Sequence, residues 1–362
     1  MTPDARPLAL FFGTRPQVIK ASVLRKALAD VGPVIAVDTG QHYDYALHQV
    51  HYDQLGVSSP DVFLGIGSGS HAEQTSAILK AAEACIREQR PRAVMVIGDT
   101  NSTLACALAA AKLRVPVAHV EAGLRAADML MAEEINRRCV DAVATLLFAP
   151  SRRAEATLRR ERVDGEIHCV GDVAYDVLQQ ALGDGLASRV ADGEYVYATL
   201  HRAELVDDSS LLRDVIAALG SLPIPVLFAA HPRTVDALGR SGCLPAASVR
   251  MSGPLGYRDS LSALQGAKAV VTDSGGIQRE AYWMGVPCVT LRRETEWTET
   301  VECGANRLLA PRDAGRLTET LTEAMARRAV GWDRTHYGDG RAAERIAKVL
   351  AERFAPRASS SP

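Results

Sequence analysis

The run Ala269-Val270-Val271-Thr272-Asp273-Ser274-Gly275-Gly276-Ile277-Gln278-Arg279-Glu280 holds the most readable chemistry in this sequence. An apolar stretch stops at Asp273 and gives way to Ser-Gly-Gly before a helix-like pattern, which is the order strand, tight turn, helix start. Glycines at 275 and 276 let a backbone approach a ligand closely. Free N–H groups and the positive end of a helix then favour an anion, a phosphate or diphosphate. The plainer alternative has Ser274 capping the helix and the glycines forming an ordinary turn.

The elements that must position such a site repeat down the chain. Leu8 to Phe12 runs into Gly13-Thr14-Arg15-Pro16, Val34 to Val37 into Asp38-Thr39-Gly40-Gln41-His42, and Val94 to Ile97 into Gly98-Asp99-Thr100. Val115 to Val120 leads to Glu121-Ala122-Gly123-Leu124-Arg125, Tyr195 to Leu200 leads to His201-Arg202, and Val226 to Ala230 leads to His231-Pro232-Arg233. In open α/β sheets ligands lie outside the carboxyl ends of the strands, so polar groups gathered there describe an enzyme-like layout.

Strand-like and helix-like segments alternate from Leu8 to about Leu178, and a second alternating set starts near Tyr195. Between them, Gly183-Asp184-Gly185 through Asp192-Gly193 reads as a linker. The expected fold is α/β, with two Rossmann-like doubly wound domains, residues 1–180 and 181–354, and an interdomain cleft. Arg341 to Arg353 has helical periodicity and is placed at the end of the second domain, and residues 355–362 read as a disordered tail. The glycines at 65, 67 and 69 make a loop without dinucleotide-fingerprint spacing, so it reads as a mobile loop and not as a nucleotide cradle.

A chain of 362 residues with 47% hydrophobic composition can bury two cores. Its net charge of −2 argues against a protein that coats nucleic acid or an anionic membrane. The first apolar run is too short for a signal peptide, and no later run reaches the roughly 18 residues of a membrane span, so a soluble cytoplasmic protein is expected. Cysteines at 85, 106, 139, 169, 243, 288 and 303 lie far apart, which indicates neither a disulfide framework nor a zinc site. They are expected to be reduced and mostly in the core.

Several motifs together resemble the non-hydrolysing UDP-N-acetylglucosamine 2-epimerases. They are G-T-R-P-Q-V-I-K at 13–20, D-T-G-Q-H-Y-D at 38–44, G-D-T-N-S-T-L-A at 98–105, H-V-E-A-G-L-R at 119–125 and E-E-I-N-R at 133–137. To these add H-R-A-E at 201–204, H-P at 231–232, D-S-G-G-I-Q-R-E-A at 273–281 and Y-G-D-G at 337–340. All are collinear and span nearly the whole chain. The resemblance implies a GT-B-like pair of Rossmann domains, a UDP-sugar substrate, a homodimer and no nicotinamide or other cofactor. It also implies a reaction in which UDP leaves C1 to give a 2-acetamidoglucal, and adds back after a proton reaches the opposite face of C2.

That chemistry needs stabilisation of the departing diphosphate and a proton-transfer group on each face of the ring. By resemblance, Asp99, Glu121 and Glu133 are the acid/base carboxylates, and His201 joins them at the site. Arg15, His201, Ser274, Gly275 and Gly276 hold the diphosphate charge, Glu280 takes the ribose hydroxyls, and Lys20, Arg137, His231 and Arg307 complete the substrate-binding set. Asp38 and His42 are weaker candidates. Each has a plain rival reading: Asp99 as a helix cap, Glu133 in a surface pair with Arg137 worth only about 0.3 kcal/mol, Glu121 in a buried pair with Arg125, Lys20 as a solvated side chain, and His231 as a satisfied strand-end histidine.

Departures from the family pattern bear on substrate and regulation. Where substrate-activated bacterial epimerases have Arg-Glu-Met after the Gln-His pair, this chain has Tyr43-Asp44-Tyr45, so allosteric activation by substrate is not expected. Some wording, including Gln-His-Tyr-Asp and E-T-E-W-T-E at 294–299, is closer to relatives that epimerise UDP-2,3-diacetamido-2,3-dideoxy-glucuronate. Those carry an Asn-Arg-Arg-Met-Pro loop, whereas this chain has Asp128-Met129-Leu130-Met131-Ala132, which lacks both arginines and suits a neutral sugar better. Ala132 also stands where proline usually precedes Glu133. Hydrolytic epimerisation, glycosyl transfer and a non-catalytic UDP-sugar sensor are the competing functions.

Overall fold

The structure, a computed structural model, describes residues 6–41, 52, 57–186, 190–327 and 331–354. The tail at 355–362 and the candidate His42 lie outside the described residues. The chain divides into two compact units, Met1–Gln179 with Thr335–Pro362, and Gln180–Arg334.

The first unit begins with β1 (Leu8–Phe12), all five residues of which are buried, as a central parallel strand covered on both faces requires. It continues through α1 (Arg15–Leu28), β2 (Val34–Asp38), β3 (Val62–Phe63), α2 (His71–Gln89), β4 (Ala93–Ile97), α3 (Asn101–Lys112), β5 (Val117–Val120), α4 (Ala132–Val143), β6 (Leu146–Ala149), α5 (Arg152–Glu161), β7 (Glu166–Cys169) and α6 (Val173–Gly183). Its sheet has the order β3-β2-β1-β4-β5-β6-β7 with parallel pairing throughout. The order reverses between β1 and β4, so the exits of those strands flank the position where doubly wound sheets bind ligands.

The second unit runs through β8 (Val196–Thr199), α7 (Ala203–Val206), α8 (Ser209–Gly220), β9 (Val226–Ala229), α9 (Pro232–Ser241), β10 (Val249–Ser252), α10 (Tyr257–Gly266), β11 (Ala269–Thr272), α11 (Gly275–Met284), β12 (Cys288–Thr290), α12 (Thr298–Glu302), β13 (Asn306–Leu308), a 3₁₀ turn over Pro311–Arg316, and α13 (Leu317–Arg327). Its parallel sheet has the order β10-β9-β8-β11-β12-β13, which reverses between β8 and β11. The fold is thus α/β with two Rossmann-like doubly wound units, of the GT-B-like class.

The last helix, α14 (Ala342–Phe354), departs from the sequence reading, which put it in the second domain. Its apolar face, Ala342, Ala343, Ile346, Ala347 and Leu350, joins the first unit's core with Val18, Ala21, Leu24 and Leu28 of α1. The return is fixed at both ends of the turn before it. Tyr337 accepts the Asp172 N–H at 3.0 Å, and the carboxylate of Asp176 caps α14 by accepting from Ala342 and Ala343 at 3.0 and 2.8 Å. Periodicity reveals a helix but not which distant surface it covers, so this long-range placement was not readable. The Y-G-D-G motif gains a structural reason, because Gly338 packs on Gly171: a Cβ at 338 would stand 3.0 Å from the Gly171 Cα.

The cysteines are free but not mostly core. Cys85, Cys106 and Cys288 are buried, Cys169, Cys243 and Cys303 are half-buried, and Cys139 is exposed. Cys139 follows Ile135 by one turn on the outer face of α4, and Ile135 is itself 50% exposed. Among the described residues no helix is long and apolar enough to cross a membrane.

The β1–α1 turn is packed against its neighbours more tightly than a glycine-rich turn needs. A Cβ on Gly13 would lie 2.1 Å from Thr39 Oγ1 and 2.4 Å from Ser102 Oγ, two hydroxyls that bond each other at 2.7 Å. Gly13→Ala is therefore expected to lose about 1–3 kcal/mol of stability through overpacking. Urea unfolding checks it: the midpoint should fall at an unchanged slope, and an unshifted midpoint would contradict this packing.

Candidate active site

In the first unit, Arg15 opens α1, and Gln17 at the third helical position reaches back to accept from the N–H groups of Gly13 and Thr14 at 2.9 and 3.3 Å. The amide nitrogen of the same side chain donates across the reversal point to Ile97 O at 2.6 Å and to the hydroxyls of Thr100 and Thr103 at 3.1 and 3.2 Å. One buried amide thus stitches the exit of β1 to the exit of β4. One turn further along α1, Lys20 is buried and forms an ion pair with Glu121, so it is not a solvated lysine.

Glu121 leaves β5 with φ +70°, a left-handed conformation that costs a non-glycine residue about 1–3 kcal/mol. Its carboxylate lies against the exit of β4, since a Cβ on Gly98 would stand 3.4 Å from Glu121 Oε2. The alternative pair with Arg125 is not what forms. Arg125 instead binds Asp141 at 2.8 Å and Glu161 at 2.6 Å. Asp99, next after Gly98, is bonded by Arg137 at 2.5 Å, and Asn136 donates to its carbonyl at 2.8 Å. Asp99 is not the helix cap either, because that position belongs to Thr100, whose hydroxyl accepts from Thr103 N–H at 3.3 Å.

Helix α4 carries Glu133, Arg137 and Asp141 four residues apart, hence along one face. Glu133 is exposed and lines, with Asp99, Gln41, Gln74, Asn101 and Asn136, a cavity of about 280 Å³. Ser68 and Gly69 of the glycine loop also border it, and that loop is tied down through Gly67, whose N–H donates to Gly40 O at 2.9 Å. Arg137 is buried and binds both Asp99 and the fully buried Glu134, the latter at 3.2 Å. Asp141, 1% exposed, takes His119 Nδ1 at 2.7 Å, the Gly123 N–H at 3.1 Å and Arg125. Burial acts to raise its carboxyl, but the charge and hydrogen bond of His119, then those of Arg125, outweigh it and hold the group below the ordinary carboxylate range.

Asp38 is fully buried and serves as an anchor: it accepts from Gly40 N–H at 2.8 Å and from the Tyr52 hydroxyl at 2.7 Å.

The second unit repeats the plan. Asp273, fully buried after β11, accepts the N–H groups of His201 and Arg202 at 2.8 Å each and faces His201 Nδ1 at 3.0 Å. Burial raises this carboxyl as well, and the bond and charge of His201 more than offset it, so it too lies below its usual range. His231 caps α9 by accepting from Arg233 N–H at 3.2 Å, with its ring 6.2 Å from that of His201. Its burial, the neighbouring His201 charge and Arg233 hold it below the ordinary histidine value.

Ser274 caps α11, and Gly275 and Gly276 are its first two residues. A Cβ on Gly275 would stand 3.4 Å from Glu296 Oε1 and from Trp297 Nε1, so these side chains close on the turn to contact distance. Glu280 lies half-buried on the same helix, and its charge adds to the effect of burial in pushing the Tyr197 hydroxyl up to about 12.

The structure therefore brings Arg15, Lys20, Asp99, Glu121, Glu133 and Arg137 to the strand exits of the first unit, and His201, His231, Ser274, Gly275, Gly276 and Glu280 to those of the second. It does not bring Arg307 there. Arg307 sits mid-strand on the edge strand β13, pairs with Glu323 of α13, and lines a different cavity of about 430 Å³. Sequence reading passed over Gln17, His119, Glu134 and Asp141, the side chains that hold the others. The signal was present in part: Gln17 and His119 lie inside quoted motifs, and Asp141 continues the four-residue spacing of Glu133 and Arg137. Among the described residues no group of three or more His, Cys, Asp or Glu is placed to hold a metal ion.

Both depressed carboxyls make a signed prediction. Asp141 and Asp273 stabilise the fold above their ordinary value of 3.8, and that stability is lost as pH falls through their lower folded values. Stability measured by urea unfolding should thus decline below about pH 4. Asp273→Asn should decline less steeply than the wild type, and an identical slope would show that its pairing with His201 contributes nothing.

Comparison with known proteins agrees with this geometry. The sequence profile of the UDP-N-acetylglucosamine 2-epimerase family matches residues 29–351. The chain is 44% identical to the UDP-2,3-diacetamido-2,3-dideoxy-D-glucuronate 2-epimerase of Pseudomonas aeruginosa, over 94% of this chain and 98% of that one. It is 36% identical to the UDP-N-acetylglucosamine 2-epimerase of Methanocaldococcus jannaschii, over 95% and 98% of the two chains. The crystal structure of the Methanocaldococcus jannaschii UDP-GlcNAc 2-epimerase in complex with UDP-GlcNAc and UDP superposes with a TM-score of 0.87 at 35% identity, covering 96% of this chain and 99% of that one. The exits of two parallel sheets, the carboxylates gathered there and these matches lead to one conclusion: the chain belongs to the UDP-N-acetylglucosamine 2-epimerase family.

Proposed function

We propose that the protein inverts C2 of UDP-N-acetylglucosamine, giving UDP-N-acetylmannosamine without net hydrolysis. The C2–H proton is removed and the C1–O bond to UDP breaks, leaving a C1–C2 double bond in the 2-acetamidoglucal. A proton is then delivered to the other face of C2, and a diphosphate oxygen of UDP re-forms the bond to C1. The observation that carries this reading is the pair of carboxylates at adjacent strand exits, with Glu121 Oε2 against the glycine that precedes Asp99. We assign proton transfer to these two, with Glu133 as a third carboxylate bordering the same cavity as Asp99.

Arg15, His201, Ser274, Gly275 and Gly276 are assigned to the diphosphate, where backbone N–H groups and cationic side chains stabilise charge that grows as UDP departs. Glu280 is assigned to the ribose hydroxyls and His231 to the nucleotide. Lys20 and Arg137 act through the carboxylates they pair with. Arg307 leaves the set. A homodimer and a cytoplasmic location are part of the proposal; the seven free thiols suit a reducing compartment.

A neutral sugar is favoured by the cavity lining, in which, among the described residues, Asp99 and Glu133 stand with amides, hydroxyls and His71 and without a lysine or arginine. A carboxylate at C5 would meet like charge there. The second reading, epimerisation of the diacetamido-glucuronate, has in its favour the 44% identity to the Pseudomonas aeruginosa enzyme.

Proton NMR in deuterated water decides. UDP-N-acetylglucosamine should give UDP-N-acetylmannosamine with deuterium at C2, and Glu121→Gln and Asp99→Asn should each lower kcat by about 10²–10⁴-fold. Release of UDP with free sugar would replace epimerisation by hydrolysis. Turnover of the uronate alone would transfer the activity to the second substrate, and binding without turnover of either would leave a sensor.

A further inference from the structure

His119 is 0% exposed, and both of its ring nitrogens are occupied: Nδ1 by Asp141 Oδ1 at 2.7 Å and Nε2 by the Gly98 carbonyl at 2.8 Å. The Gly98 carbonyl only accepts, so Nε2 donates to it, while Nδ1 pairs with the Asp141 carboxylate. A buried histidine bonded at both edges, to a helix carboxylate and to a turn carbonyl, is more than filling in a core.

The two ends of the ring reach the two turns that bear the proposed proton-transfer groups. The Gly98 carbonyl belongs to the peptide that leads into Asp99, and Gly98 has φ +67°. Its N–H is taken by Val120 O at 2.9 Å, so with His119 on its carbonyl both sides of this residue are fixed by β5. On the other side, Glu121 stands between His119 and Gly123, and both of these are bonded to Asp141. Gly123 has φ +83°, and a Cβ there would lie 2.4 Å from Ala154 O, so the turn cannot be relaxed by another residue. The strained backbone of Glu121 is thereby pinned two residues before and two residues after.

We infer that His119 and Asp141 are positioning residues for proton transfer: a clamp in which one carboxylate of α4, through one ring bonded at both edges, sets the reach of both Asp99 and Glu121. This rests on the reading of those carboxylates given above. The same helix holds Asp99 directly through Arg137, four residues before Asp141, so one rigid rod registers both strand exits. Misplacing a reacting group by about 1 Å can cost about 10²-fold in rate, which is the scale expected when the clamp is lost.

The test compares wild type, His119→Leu, His119→Gln and Asp141→Asn for kcat, KM and UDP affinity by calorimetry. The leucine variant keeps bulk but offers no donor, and its kcat should fall about 100-fold with KM and UDP affinity within about threefold. The glutamine variant keeps one amide nitrogen, which can restore the bond to the Gly98 carbonyl or to Asp141 but not both, and should recover part of that loss, a rescue that core filling alone does not give. If the leucine chain does not fold, Asp141→Asn decides: a kcat lowered at least tenfold with UDP affinity kept supports the clamp, and an unchanged kcat overturns it. Equal turnover by leucine variant and wild type, or loss of turnover and UDP affinity together, also overturns it. A wild type that epimerises nothing defeats the proposed function and not the clamp. The clamp is then judged by NMR of the His119 ring, where the absence of a solvent-protected Nε2–H bonded to the Gly98 carbonyl would defeat it independently.

Discussion

Burying a carboxylate obliges the fold to surround it with donors, and in the first unit that obligation organises everything near the strand exits. Asp141 is almost wholly excluded from water, yet it stays in its charged range because a ring nitrogen, a backbone N–H and a guanidinium converge on it. An ion left without them would cost several kcal/mol. The donors come from β5, from the turn after it and from Arg125, so satisfying one side chain fixes the relative placement of three segments. Glu134 applies the same constraint one turn earlier, accepting from the Ala126 N–H at 2.8 Å and from Arg137 and Arg138. Helix α4 therefore cannot slide along the sheet without stranding charge.

The second unit solves the problem again with different residues. Asp273 occupies the exit of β11 and draws in two successive backbone N–H groups from the exit of β8, the neighbour across the reversal of strand order. In both units a fully buried acid fixes the geometry of an adjacent strand exit, while the groups assigned to the substrate stand on the more open side of it. His201 serves this scaffold with both its backbone N–H and its ring Nδ1, which face Asp273, while 44% of its side chain remains exposed.

Most of this plan was legible in the sequence, for a reason that also marks the limit. Apolar runs that stop at glycine and polar clusters are local signals, and they located the exits of β1, β4, β5, β8, β9 and β11. Partner choice is not local. Arg125 and Arg137 looked like partners for Glu121 and Glu133 by spacing along the chain, but tertiary packing gave them Asp141, Glu161, Asp99 and Glu134. The same limit explains Arg307, whose strand position gives no hint that α13 supplies Glu323, and the last helix, whose periodicity could not say that α1 was waiting for it. His119 was hidden differently. It reads as one more apolar-strand residue, and only the two acceptors at opposite edges of its ring distinguish it.

The arrangement of cations around Asp99 and Glu121 bears on why an epimerisation would use it. Two carboxylates sharing one environment tend to share one proton, because both cannot ionise at close range. Here each has its own countercharge, Arg137 for Asp99 and Lys20 for Glu121, delivered from different helices. Inversion at C2 run in reverse exchanges the roles of the two faces, since the group that accepted a proton must now give one. The strain at Glu121 serves the same placement: its left-handed backbone holds the carboxylate over the β4 exit instead of letting it follow the strand outward, so the chain itself keeps it beside the turn that leads into Asp99, while each carboxylate keeps its own cationic partner.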